Sequence, residues 1–84
     1  MLKGSLRNRL ISENHASYDL SGKINPTFQN EGTDDVYIDG RKVLPGQSYS
    51  VNVPNVIMQN AIPITFEGGI GKTKILYIGF VELT

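Results

Sequence analysis

The fold of this chain is decided by residues 28–53, which read FQNEGTDDVYIDGRKVLPGQSYSVNV. Asp39-Gly40 is a dipeptide that tolerates positive φ at both central positions of a tight hairpin, and apolar segments flank it. Pro45-Gly46 fits the centre of a type II turn, in which proline sets the first φ and glycine takes the positive one. We therefore predict three short strands joined by two structural turns, with positive φ at Gly40 and Gly46.

The composition limits the classes of protein to which the chain can belong. Its 84 residues form one domain, near the lower size limit for a single apolar core. It has no cysteine, which excludes disulfides and thiolate metal sites, so we expect oligomerisation to support the fold. Eight basic residues balance eight acidic ones, which does not favour direct binding to nucleic acid or to an anionic membrane.

Neither a membrane segment nor a secretory signal is predicted. No apolar run approaches the roughly 20 residues that a spanning helix needs. The first residues also lack the uninterrupted apolar core of a signal peptide. We therefore expect the protein to be made, and to assemble, in the cytoplasm.

Extended segments flank the central stretch on both sides. Residues 16–20 and 61–66 alternate between apolar and other side chains, and residues 74–83 form the longest extended run. Pro63 indicates an edge strand or a bulge, because it has no N–H to donate to a ladder. The spacing predicts an all-β fold, a small antiparallel sandwich or barrel of about seven short strands, similar to a jelly roll.

Residues 1–15 are separated here from the sandwich domain, which we place at residues 16–84. Three leucines recur every four residues, which is the spacing of one helical stripe, although Gly4 weakens a helix. They are Leu2, Leu6 and Leu10. Two conformations stay open, an N-terminal arm and a short amphipathic helix. The segment either packs on its own core or reaches onto the acidic residues 31–39 of a neighbouring subunit.

The closing run is apolar on both of its faces. One face carries Ile75, Tyr77, Val81 and Leu83, and the other carries Leu76, Ile78 and Phe80. A small sandwich has one core, so only one face fits inside it. Leaving three large apolar side chains exposed forfeits about 1.5–3 kcal/mol each, which indicates that the second face contacts a neighbouring subunit. With the first face inside, the candidate interface consists of Leu76, Ile78 and Phe80 together with Leu2, Leu6 and Leu10.

Residues 68–73 read GGIGKT, which resembles the end of a phosphate-binding loop. That loop requires a glycine where Phe66 stands. It must also open a helix, whereas the residues that follow are predicted to be a strand. A glycine-rich turn is therefore the favoured interpretation.

Other polar and aromatic residues also have structural interpretations. Four carboxylates within nine positions suit calcium chemically but lack the spacing of an EF-hand, so a solvated loop is favoured. They are Glu31, Asp34, Asp35 and Asp39. His15 is the only histidine, and with Ser12 and Asp19 it matches a catalytic triad in residue type alone. The tyrosines and phenylalanines lack the basic surface that accompanies stacking on nucleic acid. We predict no catalytic residue, metal or cofactor.

A larger set of residues carries a resemblance to a known family. The set is Asn30, Gly32, Val36, Ile38, Gly40, Leu44, Pro45, Gly46, Ser48, Tyr49 and Val51, with Ile62, Ile64, Phe66 and residues 75–80. In this pattern the chain resembles small β-sandwich virion proteins of tailed bacteriophages. Such proteins decorate capsids, join head to tail, or form parts of tails and fibres.

The resemblance implies a non-enzymatic structural protein of the virion, assembled in the host cytoplasm. Its partners would be copies of itself and other virion proteins. The alternative is a small module that binds carbohydrate or another ligand through exposed tyrosines. A third interpretation is a regulatory or antitoxin-like cytosolic binder. A monomer in solution would favour the binding module over the virion subunit.

Overall fold

The computed structural model describes residues 3–83 as eight strands in two antiparallel sheets. The strands are β1 (Gly4–Ile11), β2 (His15–Asp19), β3 (Ile24–Asn30), β4 (Val36–Ile38), β5 (Arg41–Val43), β6 (Ser48–Ser50), β7 (Ala61–Phe66) and β8 (Leu76–Leu83). Residues 3–83 contain no helix. The prediction of an all-β antiparallel sandwich is confirmed, with eight strands in place of about seven. Leu2 lies outside the described residues.

The strand pairs are nested along the chain. Strand β4 pairs with β5, β3 with β6, β2 with β7, and β1 with β8. Two further pairings, β8 with β3 and β7 with β4, complete the sheets. Sheet A has the order β1-β8-β3-β6 and sheet B the order β2-β7-β4-β5. This is the topology of an eight-stranded jelly roll.

Both predicted turns are present. Asp39 and Gly40 have φ values of 51° and 82°, as in a type I′ hairpin, and Ile38 pairs directly with Arg41. Gly46 has a φ of 82°, and its turn is closed by the Gln47 N–H, which donates to the Leu44 carbonyl at 2.9 Å. This second turn takes the chain from sheet B to sheet A, so it connects the two layers.

The N-terminal segment is an integral strand of the sandwich. Residues 4–11 pair with β8 along their whole length, from Gly4 opposite Leu83 to Ile11 opposite Leu76. The helical alternative is therefore wrong for these residues, and the proposed boundary at residue 15 does not separate them from the sandwich. The alternation of leucine with arginine and the burial of Ile11 in the core favour a strand, and pairing with β8 supplies its hydrogen bonds.

The core lies between the sheets and takes the face of β8 that was predicted to be an interface. Leu76 and Ile78 are 0% exposed and Phe80 is 2% exposed, so their assignment to a subunit contact is wrong. Ile78 pairs with Phe28 on β3, in the middle of the core. The opposite face could not fill this position, because it would have placed Gly79, which has no side chain, at the centre.

Strand β7 matches its predicted limits but is not an edge strand. It lies between β2 and β4, so that alternative for Pro63 is wrong. The bulge alternative is confirmed, since the register of β2 shifts between the pairs of Ile64 and Ile62, which flank Pro63. The Pro63 carbonyl accepts a hydrogen bond from the N–H of Asp39 at 2.9 Å, just beyond the end of β4.

Candidate protein interface

The outer face of sheet A consists of side chains placed by the strand register. Residues opposite each other in an antiparallel pair share a face of the sheet. Strand β1 contributes Gly4, Leu6, Asn8 and Leu10, β8 contributes Tyr77, Gly79, Val81 and Leu83, β3 contributes Ile24, Thr27 and Gln29, and β6 contributes Ser48 and Ser50. None of these residues is charged. The whole outer face of sheet A is therefore neutral.

The apolar side chains of this face are concentrated on two adjacent strands. Leu10 lies opposite Tyr77, and Leu6 lies opposite Val81. Leu6 is 72% exposed, Leu10 56% and Tyr77 43%, and Leu83 is also exposed. We call these five residues the β1–β8 face. A contiguous exposed apolar surface of this kind on a small domain usually marks a contact site.

A groove of about 500 Å³ continues the β1–β8 face at one end. Ile24 and Val81 pair in its floor. Its rim includes Pro54, Ile57 and Lys3. Ile57 forms an isolated bridge with Ile24, so the segment after β6 extends the sheet sideways at this point. The apolar surface therefore reaches beyond β1 and β8 at this end of the molecule.

No family model, curated protein or solved structure matches this chain. Function is therefore inferred from the surfaces of the molecule.

The outer face of sheet B has the opposite character. Tyr37 pairs with Lys42 on this face, and Lys42 lies 3.4 Å from a carboxylate oxygen of Asp35. A hydrogen bond with Asp35 raises the pKa of Lys42, and a hydrogen bond with Glu67 raises the pKa of Tyr37. These charged, solvated groups resist burial in a contact. Sheet A is thus the better candidate for an interface.

The structure places some of the predicted interface residues on the surface and the others in the core. Leu6 and Leu10 lie on the β1–β8 face, whereas the predicted residues of β8 lie in the core. The residues missed are Tyr77, Val81 and Leu83. Their alternation in the sequence identified them as one face of the strand, but both faces of the closing run are apolar, so periodicity alone did not show which is exposed.

The glycine-rich loop at residues 68–73 binds a side chain of the protein itself. Asp34 is 2% exposed, and its carboxylate accepts hydrogen bonds from the N–H groups of Gly68, at 2.9 Å, and Gly69, at 3.4 Å. These N–H groups are the ones that a phosphate would use in such a loop. Asp34 is therefore a buried structural residue, whereas the sequence had suggested that it belongs to a solvated loop.

The remaining polar candidates do not converge. Asp35 pairs with Lys42, and Asp19 accepts a hydrogen bond from the N–H of Ser21, which lowers the pKa of Asp19. His15 packs edge-on against Tyr18, with ring centroids 5.3 Å apart. Within residues 3–83, no three histidine or acidic side chains are grouped so as to hold a metal ion. The same part of the chain contains no helix long and apolar enough to cross a membrane.

A second, polar groove of about 650 Å³ lies where β5 and β6 form neighbouring edges of the two sheets. Tyr49 stacks on Phe28 at 6.3 Å, and the guanidinium of Arg41 lies 5.3 Å from the Tyr49 ring. The Tyr49 ring is therefore already in contact with side chains of the protein itself. The groove can bind a polar ligand through Arg41 and the serine hydroxyls, but it offers little free aromatic surface.

Proposed function

We propose that the protein is a non-enzymatic structural subunit that is repeated in a bacteriophage particle and binds copies of itself and neighbouring virion proteins. The observation that carries the proposal is the neutral outer face of sheet A, with the exposed apolar side chains of the β1–β8 face on it. Interface cores are depleted of charged residues and enriched in large apolar and aromatic ones. The β1–β8 face has this composition, whereas sheet B has a charged outer face.

The fold is compatible with this proposal. Eight-stranded jelly rolls occur in viral capsid domains, and they also occur in lectins. The likeness is an analogy at the level of fold, which does not determine function. The pattern of turn and apolar residues also supports the proposal, because it resembles that of small virion proteins of tailed phages. In this function the subunit is made in the host cytoplasm and incorporated into the virion.

Sedimentation velocity at micromolar concentration tests self-association. We expect the wild-type protein to sediment as an oligomer and the Leu10→Ser, Tyr77→Ser variant as a monomer. Leu44→Ser is the matched control, because Leu44 is an exposed leucine outside this face. A monomeric wild-type protein, or a double variant that associates as tightly as the control, would contradict the proposal.

The genomic neighbourhood of the coding sequence tests the virion assignment. We expect genes for capsid, portal or tail proteins beside it. Genes for carbohydrate uptake would instead favour the second candidate function, a small carbohydrate- or ligand-binding module. That candidate is supported by the polar groove between β5 and β6. Loss of glycan binding on Arg41→Ala, with sedimentation unchanged, would establish it.

A further inference from the structure

Gly79 lies beside an irregularity of sheet A, because the register of β3 against β8 shifts between the pairs of Ile24 and Thr27. It lies in the middle of β8, which is flanked on both sides by other strands of sheet A. A Cβ atom added there would meet only the exposed Oδ1 of Asn8, at 3.1 Å. Glycine weakens a strand interior, and its presence often marks a place where another molecule approaches closely. Gly79 is therefore compatible with the bulge in β3, and it also leaves the outer face of sheet A open to another molecule at this point.

The missing side chain leaves a notch of about 210 Å³ in the outer face. It is lined by Leu6, Asn25, Thr27, Gly79, Phe80 and Val81. A cavity of about 150 Å³ accommodates benzene, so this notch has room for a leucine side chain. Leu6, the most exposed residue of the β1–β8 face, stands at its rim. A projection and a depression that has room for it thus lie side by side on one neutral surface.

The distance between Leu6 and Gly79 is compatible with a twofold axis between two copies. Leu6 lies opposite Val81, two positions along β8 from Gly79, and such diagonal neighbours are roughly 7–8 Å apart. A twofold axis that lies in the plane of the interface, midway between Leu6 and Gly79 and perpendicular to the line that joins them, would bring Leu6 of each copy over Gly79 of the other. In an isologous interface the same patch is used by both subunits. A surface that carries both a projection and its depression meets that requirement.

The area suits a weak self-association. Strands β1 and β8 have eight residues each, β3 has seven and β6 has three, so at about 3.3 Å per residue and about 4.8 Å between strands the face measures roughly 400 Å² per copy. Two copies would bury at most about 800 Å², which is the size of a weak or transient interface. Because the face carries no charge, a second copy meets no like-charge repulsion.

We propose that a second copy of this chain covers the outer face of sheet A face to face, with Leu6 of each copy in the Gly79 notch of the other. The inference rests on the proposed self-association and specifies its geometry. Pairing of two β1 edges is the competing arrangement. Registers centred on Arg7, Asn8 or Arg9 would place arginine opposite arginine, which is unfavourable.

Cysteine cross-linking tests the geometry directly, because the chain contains no cysteine. Leu6→Cys and Thr27→Cys proteins are mixed under mild oxidation, since Thr27 is the neighbour of Gly79 on β3. We expect a disulfide-linked dimer of one protein of each kind, identified by mass spectrometry. Leu6→Cys mixed with Thr65→Cys is the control, because Thr65 lies on the outer face of sheet B.

Filling the notch is the second test. Gly79→Ala requires only a small shift of the Asn8 side chain, so the variant should unfold in urea at or above the wild-type midpoint. Its self-association should weaken about tenfold or more, which corresponds to roughly 1.4 kcal/mol. Leu6→Ala should weaken association to a similar extent.

The outcomes separate the two proposals. A monomeric wild-type protein overturns both the proposed function and this inference. A wild-type oligomer whose Leu6 and Thr27 cysteines cross-link no faster than the control overturns the inference alone. Unchanged association of a folded Gly79→Ala variant has the same consequence. Rapid cross-linking together with weakened association of that variant establishes the arrangement.

Discussion

The carboxylate of Asp34 lies 2.9 Å from the backbone nitrogen of Gly68, so two loops that are 34 residues apart in the sequence are joined by a charge-assisted hydrogen bond. Asn30 holds the same loop in place through hydrogen bonds. Its side-chain amide donates to the carbonyls of Asp34, at 2.9 Å, and Val43, at 3.1 Å. Asn30 is itself fully buried, and these bonds satisfy its amide. The end of the sandwich is thus closed by polar groups that are fully paired.

Asp34→Ala should lower the free energy of unfolding by about 1–3 kcal/mol, because it leaves the partly buried N–H groups of Gly68 and Gly69 without their acceptor. Asp34→Asn retains one acceptor oxygen and should lose less. Glu31→Ala is the control, since Glu31 is an exposed carboxylate in the same loop. Urea unfolding followed by circular dichroism measures all three. Equal midpoints for Asp34→Ala and Glu31→Ala would show that the loop contact does not contribute.

Gly40→Val should destabilise the protein by more than about 1 kcal/mol, because a β-branched residue strongly disfavours positive φ. An added Cβ would meet nothing within 4 Å, so the main cost comes from the backbone conformation. Gly40→Asn should be tolerated, since asparagine adopts this conformation readily. Gly46→Ala should cost on the order of 1 kcal/mol. Melting temperatures that do not distinguish valine from asparagine at position 40 would contradict this account of the turn.

Ile78→Ser combined with Phe80→Ser should unfold the protein. Each change removes a fully or nearly fully buried side chain at a cost of about 2–5 kcal/mol, and the sum approaches the whole stability of a small domain. Leu6→Ser with Leu10→Ser should leave folding within about 0.5 kcal/mol of the parent, since both leucines are exposed. Chemical denaturation and sedimentation together separate the two effects. A folded core variant that merely dissociates would reverse our assignment of the faces of β8.

The free energy of unfolding should fall at alkaline pH. Burial raises the pKa of Tyr18, with nearby Arg9 opposing the shift, and the hydrogen bond with Glu67 raises the pKa of Tyr37. A raised pKa means that the folded state favours the protonated phenol. This contribution is complete below the unfolded pKa of about 10 and is lost as the pH rises through the folded pKa. Urea titrations between about pH 8 and pH 11 should show a shallower decline for Tyr18→Phe than for the parent; parallel declines would exclude Tyr18 as a cause.

Sequence reasoning predicted those parts of the fold that depend on local backbone chemistry. The Asp39-Gly40 and Pro45-Gly46 turns follow from the φ preferences of their own residues, and the limits of β7 follow from its alternation. The orientation of β8 could not be predicted from its own residues, because both of its faces are apolar and Gly79 is the only local indication. Asp34 could not be identified either, since its partners belong to a turn that is distant in sequence.

The nested pairing of the strands has a kinetic consequence. The β4–β5 hairpin closes over two residues, and hairpins form in about 1–10 μs. The β1–β8 pair joins the most distant segments, beginning with Gly4 and Leu83, so its closure is entropically the most costly. We expect pulsed hydrogen exchange during refolding to show protection in β4 and β5 before β1. Because the β1–β8 face exists only after β1 has docked, competence to associate would arise in the last step of folding, and partly folded chains would be kept out of the assembly.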